Sequence, residues 1–235
     1  MKLEDFRRNY QSGTLNRADL AADPVEQFEA WLREMMASDI ADPTAMVLAT
    51  VGADSTPQQR YVLLKHFSAG GFMFFTDTHS RKGLDIAHNA NVGLLFPWHA
   101  YERQVRVSGV ARMLKRQQVE TYFHSRPLPS QVAAYTSQQS ESIESRAELQ
   151  RRYQENLQKF EDQTPLPDRW GGYLVMPTRF EFWQGGEHRL HDRFEYIAET
   201  QTSDHGDSEK QTWLINRLQP WCRHDGIIAS LARAI

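Results

Sequence analysis

One cysteine, Cys222, is all that 235 residues carry, so no disulfide can close within the chain. That fits a reducing compartment, and the cytoplasm is the expected location. No run approaches the ~18 consecutive apolar residues that a membrane span needs. Met1 to Tyr10 is charged and lacks the apolar stretch of a secretory signal. Positive charge is not in excess: 27 Lys and Arg face 30 Asp and Glu, a net charge of -3. A nucleic-acid surface is therefore not expected, and no continuous basic stripe interleaves with the aromatics. A P-loop is missing, and Gly185-Gly186 lacks the strand-then-helix context of a dinucleotide fingerprint. His188 and His191 would point to opposite faces of a strand, so no metal site is expected. Nothing around Cys222 marks a nucleophile. Any anionic ligand must be held by local clusters of Arg and Lys.

What is present reads as a β-rich α+β chain with no internal repeat. Asp23-Pro24 supplies an N-cap acceptor and a first-turn proline. Val25, Phe28, Leu32 and Met35 then follow at helical spacing to about Ala37. Strands are predicted over 44–51, 58–66, 71–77, 92–96, 102–114, 172–176, 178–183, 188–197 and 212–218. Short helices are expected over 80–89, 116–125 and 130–137. A longer one, opened by the capping box Ser145-Arg146-Ala147-Glu148, should run to about Phe160 with Leu149, Tyr153 and Leu157 on one side. Short strands in meander-like succession with helices at the ends and in the middle predict an antiparallel barrel with peripheral helices. Residues 1–22 read as an N-terminal segment, 23–220 as one domain and 221–235 as an extension. Thr200 to Gln211 is wholly polar and reads as a hairpin loop.

Four groups of cationic and donor residues stand out. If 188–197 is extended, Arg189, His191 and Arg193 share one face, and Leu190, Phe194 and Tyr196 share the core face. Such a row of like charges calls for an anion; it reads equally as a solvated face with Glu187 and Glu195 as counter-charges. Gly185-Gly186 before it permits a tight turn and a close ligand. Arg81 and Lys82 sit where a helix starts, which the helix dipole disfavours. A phosphate at the same N-terminus would reverse that penalty. Tyr122, Arg126 and Ser130 form a third donor set, which reads alternatively as ordinary helix capping. Arg60 and Lys65, five apart on one predicted strand, fall on opposite faces, so serving one ligand requires a bulge. They read alternatively as snorkelling surface cations. Separate donor clusters in a net acidic chain point to more than one phosphate group.

Most of these residues lie within runs that resemble the pyridoxine/pyridoxamine 5′-phosphate oxidase family: RRNY (7–10), DPTAMVLATV (42–51), QRYVLLKH (59–66), FFTDTHSRKG (74–83), LLFPWHAYERQVRVSG (94–109), YFHSRP (122–127), QQS (138–140), FWQGGEHRLHDR (182–193) and RLQP (217–220). The resemblance implies an FMN-binding split barrel, working as a homodimer with FMN at the interface. It implies oxidation of pyridoxine 5′-phosphate or pyridoxamine 5′-phosphate to pyridoxal 5′-phosphate, by hydride transfer to FMN. O2 is the oxidant and hydrogen peroxide a product, with ammonia released from the amine. The implied FMN contacts are Arg60, Tyr61, Val62, Leu63, Leu64, Lys65, Phe75, Thr76, Arg81, Lys82, Gln104, Gln139, Ser140, Trp183 and Arg193. Lys65, Tyr122, Arg126 and Ser130 would meet the substrate phosphate. Arg189 and His191 would lie against the pyridine ring as the catalytic pair, under a segment carrying Arg7 and Tyr10. Asn9 and Phe75 depart from the family pattern, where an acidic residue and a Tyr are common. A flavin reductase, a haem-handling protein or a non-catalytic flavin or pyridoxal phosphate carrier of the same fold is the alternative. The first two need not keep Tyr122, Arg126, Ser130, Arg189 and His191.

Overall fold

The computed structural model describes residues 9–11, 13–201 and 210–220; Arg7, most of the polar 200–211 loop and the 221–235 extension fall outside the described residues. Helix α1 (Pro24–Met36) starts as its sequence dictates, with the Asp23 carboxylate accepting from the Val25 N–H at 2.7 Å. Its stripe of Val25, Phe28, Leu32 and Met35, joined by Trp31, is buried. Strands β1 (Ala45–Val51), β2 (Pro57–Leu63), β3 (His66–Ser68) and β4 (Gly71–Asp77) lead to helix α2 (Arg81–His88). Strands β5 (Asn91–Phe96) and β6 (Arg103–Met113) precede α3 (Arg116–Ser125), α4 (Leu128–Thr136) and α5 (Arg146–Lys159). The chain then returns through β7 (Trp170–Gln184), β8 (Asp192–Gln201) and β9 (Lys210–Leu218). Every strand pairing is antiparallel, in the order β2-β1-β5-β6-β7-β4-β3, with β8 and β9 added beside β7.

Two local features make this sheet a split barrel. The expected strand over 58–66 is broken after Leu63. There the Leu64 N–H still bonds the Thr44 carbonyl, whereas the Lys65 N–H bonds the Met73 carbonyl. The chain thus leaves β1 and joins β4, which closes the ring. The expected break at Pro177, by contrast, does not occur, because β7 is continuous. Ser108 faces Arg179 and Gly109 faces Pro177, so Thr178 is the extra residue of a bulge. Pro177 sits where the ladder is interrupted and its missing N–H costs nothing. A Cβ on Gly109 would lie 2.4 Å from the Met176 carbonyl oxygen, so only glycine fits opposite the bulge. Before the bulge β7 pairs with β4, and after it with β8.

The barrel is filled by rings. Phe28 is fully buried, with ring centroids of Phe67, Phe72, Phe96 and Trp98 at 5.2, 4.9, 4.7 and 5.8 Å. Phe28→Ala should cost roughly 3–5 kcal/mol of unfolding free energy, measured by urea titration, because the ring is removed from a site that cannot collapse. Helix α5 differs. Ser145 caps it by accepting from the Glu148 N–H at 3.1 Å, yet none of its residues is fully buried.

The largest departure from expectation lies between β7 and β8. Strand β8 begins at Asp192, not at His188. Residues 187–189 form a tight 3-10 turn in which His188 and Arg189 take positive φ, 54° and 63°. Alternation therefore does not put Arg189, His191 and Arg193 on one strand face, and the facing argument for His188 and His191 lapses with it. Leu190 is 68% exposed, not a core residue, while Phe194 and Tyr196 are buried as expected.

Candidate active site

The first half of the site is a cavity of about 590 Å³ between β2, β4, α3 and α4. It collects residues that the sequence scatters over more than a hundred positions. Tyr61, Val62, Leu63 and Lys65 come from the β2–β3 junction. Phe75, Thr76 and Lys82 come from β4 and α2, and Gln139 from the turn after α4. Tyr122, Arg126 and Ser130 face the same space. The break at Leu64 ends strand alternation between Arg60 and Lys65, yet of the two only Lys65 lines the cavity. Leu64 itself turns into the core, 5% exposed.

One wall is aromatic. Phe75 stacks on Tyr122 with centroids 3.9 Å apart, and both rings run nearly parallel to Trp170. The Phe75 ring thus performs a packing role that needs no hydroxyl. The Arg126 guanidinium lies 5.1 Å from the Trp170 ring centroid. Its Nη1 is buried with no hydrogen-bond partner. Burial lowers its proton affinity and raises the pKa of the neighbouring Tyr122 hydroxyl. An orphaned guanidinium nitrogen beside a hydroxyl, in a cavity that also takes Lys65 and Ser130, is the donor set of an anion site.

The α2 end of the cavity is held differently. Lys82 is 7% exposed and its Nζ turns inward, donating to Gln139 Oε1 at 2.7 Å, Ser80 Oγ at 3.0 Å and Thr76 Oγ1 at 3.1 Å. Burial, and secondarily Arg60, pushes its pKa down to about 8, against the pull of Asp77. Arg81 turns outward, and its backbone N–H donates to Ser140 Oγ at 3.2 Å. Arg60 reaches Thr50 Oγ1 at 2.6 Å. Neither Arg60, Arg81 nor Ser140 lines the cavity; Arg60 lies close enough to Lys82 to act on its charge, and Arg81 precedes it in the chain.

The second half is an aromatic cluster on the other part of the sheet. Tyr10, Trp183 and His191 meet pairwise at centroid distances of 5.7, 5.2 and 4.8 Å. Gln104 and Arg193 flank Trp183 in the β6 and β8 registers. Arg193 is held by Glu181 at 2.9 Å and by the Gln219 carbonyl at 2.9 Å. The Gly186 N–H donates to His191 Nδ1 at 3.1 Å, which leaves the imidazole proton on Nε2. Burial first, then Arg189 and Arg193, lowers the His191 pKa from 6.5, which favours the neutral ring. Within one chain, Tyr10, Gln104, Trp183, Arg189, His191 and Arg193 do not line the cavity of Lys82 and Arg126.

Gly185 has a use that sequence reasoning missed. A Cβ on Gly185 would lie 2.7 Å from Tyr10 Cδ1 and 2.9 Å from Glu102 Cβ. The glycine makes room for Tyr10 and Glu102. The entering chain is tied down by the Gln11 N–H on Glu102, at 2.8 Å, and the Leu15 N–H on Asp192, at 2.9 Å. Gly185→Ala should therefore displace Tyr10 from Trp183 and His191. The same overpacking should cost about 1–3 kcal/mol in thermal stability, measured by melting. Trp170 and Asp85 were also missed. Nothing in the sequence marks Trp170, but Asp85 lies at i+4 from Arg81, a spacing that pairs charges on a helix.

Comparison with known proteins assigns the fold and the family. The family model described as pyridoxamine 5′-phosphate oxidase matches residues 32–160. That of the pyridoxine 5′-phosphate oxidase C-terminal dimerisation region matches 170–220. A pyridoxine/pyridoxamine 5′-phosphate oxidase of Shewanella sediminis is 49% identical over 93% of this chain and 99% of its own. That of Idiomarina loihiensis is 48% identical over 94% of this chain and 100% of its own. Among solved structures, PhzG from Burkholderia lata, in complex with tetrahydrophenazine-1-carboxylic acid, superposes with a TM-score of 0.78 at 25% identity, over 88% of this chain and 98% of that one. An FMN-binding protein of Nostoc punctiforme shares the fold alone, with a TM-score of 0.61 at 15% identity, over 86% and 100%. Fold, cavity and relatives agree: the chain belongs to the pyridoxine/pyridoxamine 5′-phosphate oxidase family.

Proposed function

We propose that this chain oxidises pyridoxine 5′-phosphate and pyridoxamine 5′-phosphate to pyridoxal 5′-phosphate with FMN as cofactor. The observation that carries the reading is the cavity in which Lys65, Tyr122, Arg126 and Ser130 converge, with a buried Arg126 nitrogen left unpartnered. A substrate phosphate satisfies that nitrogen. The inward Lys82, with Thr76 and Gln139, lies in the same cavity, and Arg60 and Arg81 border it; this second cationic end suits the FMN phosphate. Two phosphates held apart fix two rings against each other, which converts a bimolecular encounter into an oriented one. Bound there, FMN would supply the redox chemistry, as acceptor of a hydride equivalent from the substrate with O2 as the final oxidant and hydrogen peroxide as the product.

The protein's own groups bind, orient and move protons. Lys65, Tyr122, Arg126 and Ser130 anchor the substrate phosphate far from the reacting carbon. Arg189 orients the pyridine ring and stabilises charge at its oxygen. His191 presents Nε2–H toward the substrate, because its Nδ1 is engaged by Gly186. Tyr10 covers the cluster. Since one chain keeps His191 and Arg126 in separate groups, the working site takes them from two copies. The dimerisation-region match over 170–220, which contains both Trp183 and His191, supports that assembly. Among the described residues, no helix is long and apolar enough to cross a membrane.

The test is direct. The purified protein should carry a flavin spectrum. It should convert pyridoxine 5′-phosphate aerobically to pyridoxal 5′-phosphate with an equal amount of peroxide. Binding of both ligands without peroxide would identify a non-catalytic carrier of the same fold.

A further inference from the structure

The three cations around the α2 end of the cavity have one buried carboxylate between two of them. Asp85 is 3% exposed. Its Oδ2 accepts from the Thr50 hydroxyl at 2.7 Å and lies 3.7 Å from Arg60 Nη2, while Oδ1 lies 3.2 Å from Arg81 Nε. Arg60 Nη1 in turn donates to Thr50 Oγ1, so Arg60, Thr50 and Asp85 form a closed relay. The place for this carboxylate is built by a missing side chain: a Cβ on Gly52 would lie 2.6 Å from Asp85 Oδ1. Burial and Arg81 both lower the proton affinity of Arg60, and Asp85 is the charge that offsets them.

We propose that Asp85 is a positioning residue for the cofactor phosphate: it holds Arg60 from β2 and, at Nε, Arg81 from α2 beside one dianion, while Arg81 Nη2 pairs with the exposed Asp54 at 3.1 Å. This rests on the FMN reading above. A guanidinium is a rigid planar fork, so holding it by one edge fixes the direction of the others. A negative charge beside a phosphate site also weakens the local field. Asp85 can therefore favour FMN only through the orientation it imposes, and that gives the test its sign.

The full-length protein, stripped of flavin, is titrated separately with FMN and with riboflavin while quenching of flavin fluorescence is followed. The unsubstituted chain binds FMN more tightly than riboflavin; equal affinities would count against the FMN reading itself. In Asp85→Asn the Kd for FMN rises tenfold or more, and that for riboflavin stays within twofold. Gly52→Ala, which displaces an intact carboxylate, produces the same FMN-selective loss and decides the matter alone if Asp85→Asn does not fold. Unchanged or tighter FMN binding, or equal loss for both flavins, overturns the proposal, since a merely structural role does not distinguish ligands that differ only by a phosphate.

Discussion

Arg126→Met should raise KM for pyridoxine 5′-phosphate roughly 10–100-fold, with a smaller change in kcat. The methionine keeps an apolar stem against Trp170 and removes the guanidinium whose Nη1 has no partner in the protein. A charge-assisted hydrogen bond contributes about 1.5–3 kcal/mol, which is that range of affinity. The same substitution should leave the ligand-free protein equally stable or more stable by thermal melting, because a buried, unsatisfied charged nitrogen is removed. Function and stability then move in opposite directions, as expected of a site built for a ligand and not for the fold. A fall in both would mean that Arg126 is a structural residue.

His191→Asn should lower kcat/KM roughly 100-fold and abolish the acid limb of its pH profile. Burial, with Arg189 and Arg193, holds the imidazole below its ordinary pKa of 6.5. The neutral ring accepts from Gly186 at Nδ1. Protonation would set one donor against another there and add a third charge beside two guanidiniums. Activity should therefore be retained above pH 6.5 and lost as pH falls through the lowered pKa. The stability sign follows from the same shift. The unfolded chain takes up this proton more readily, so the contribution of His191 is fully present above about 6.5 and lost below it. In the variant both the kinetic limb and that part of the acid destabilisation should vanish; an unchanged limb would assign it to another group.

How far the sequence announced this site depended on the scale of the signal. Helix α1 was legible because Asp23, Pro24 and a periodic apolar stripe agree. Tyr122, Arg126 and Ser130 were legible as a cluster because α3 and α4 are short and adjacent, although α4 begins at Leu128, earlier than expected. The break at Leu64 was not legible: QRYVLLKH alternates well enough as one strand, and only the change of partner from β1 to β4 interrupts it. Nor was the left-handed pair His188 and Arg189: histidine adopts positive φ more often than most residues, but arginine does not, and nothing in the run marks two such residues in succession. The expected triple face of Arg189, His191 and Arg193 failed for that reason, while His191 still reached Trp183 by way of the turn. Gly185 reads as a flexible turn in one dimension and as a notch for Tyr10 in three.

The most direct test of the account uses hybrid dimers of the Arg126→Met and His191→Asn variants, separately tagged and isolated after mixing. If each site draws its phosphate cations from one copy and its imidazole from the other, one site in the hybrid has both lesions and its twin has neither. About half of the unsubstituted dimer's activity should then return. A hybrid no more active than its two parents would place Arg126 and His191 of the same chain in the same site, and would contradict it.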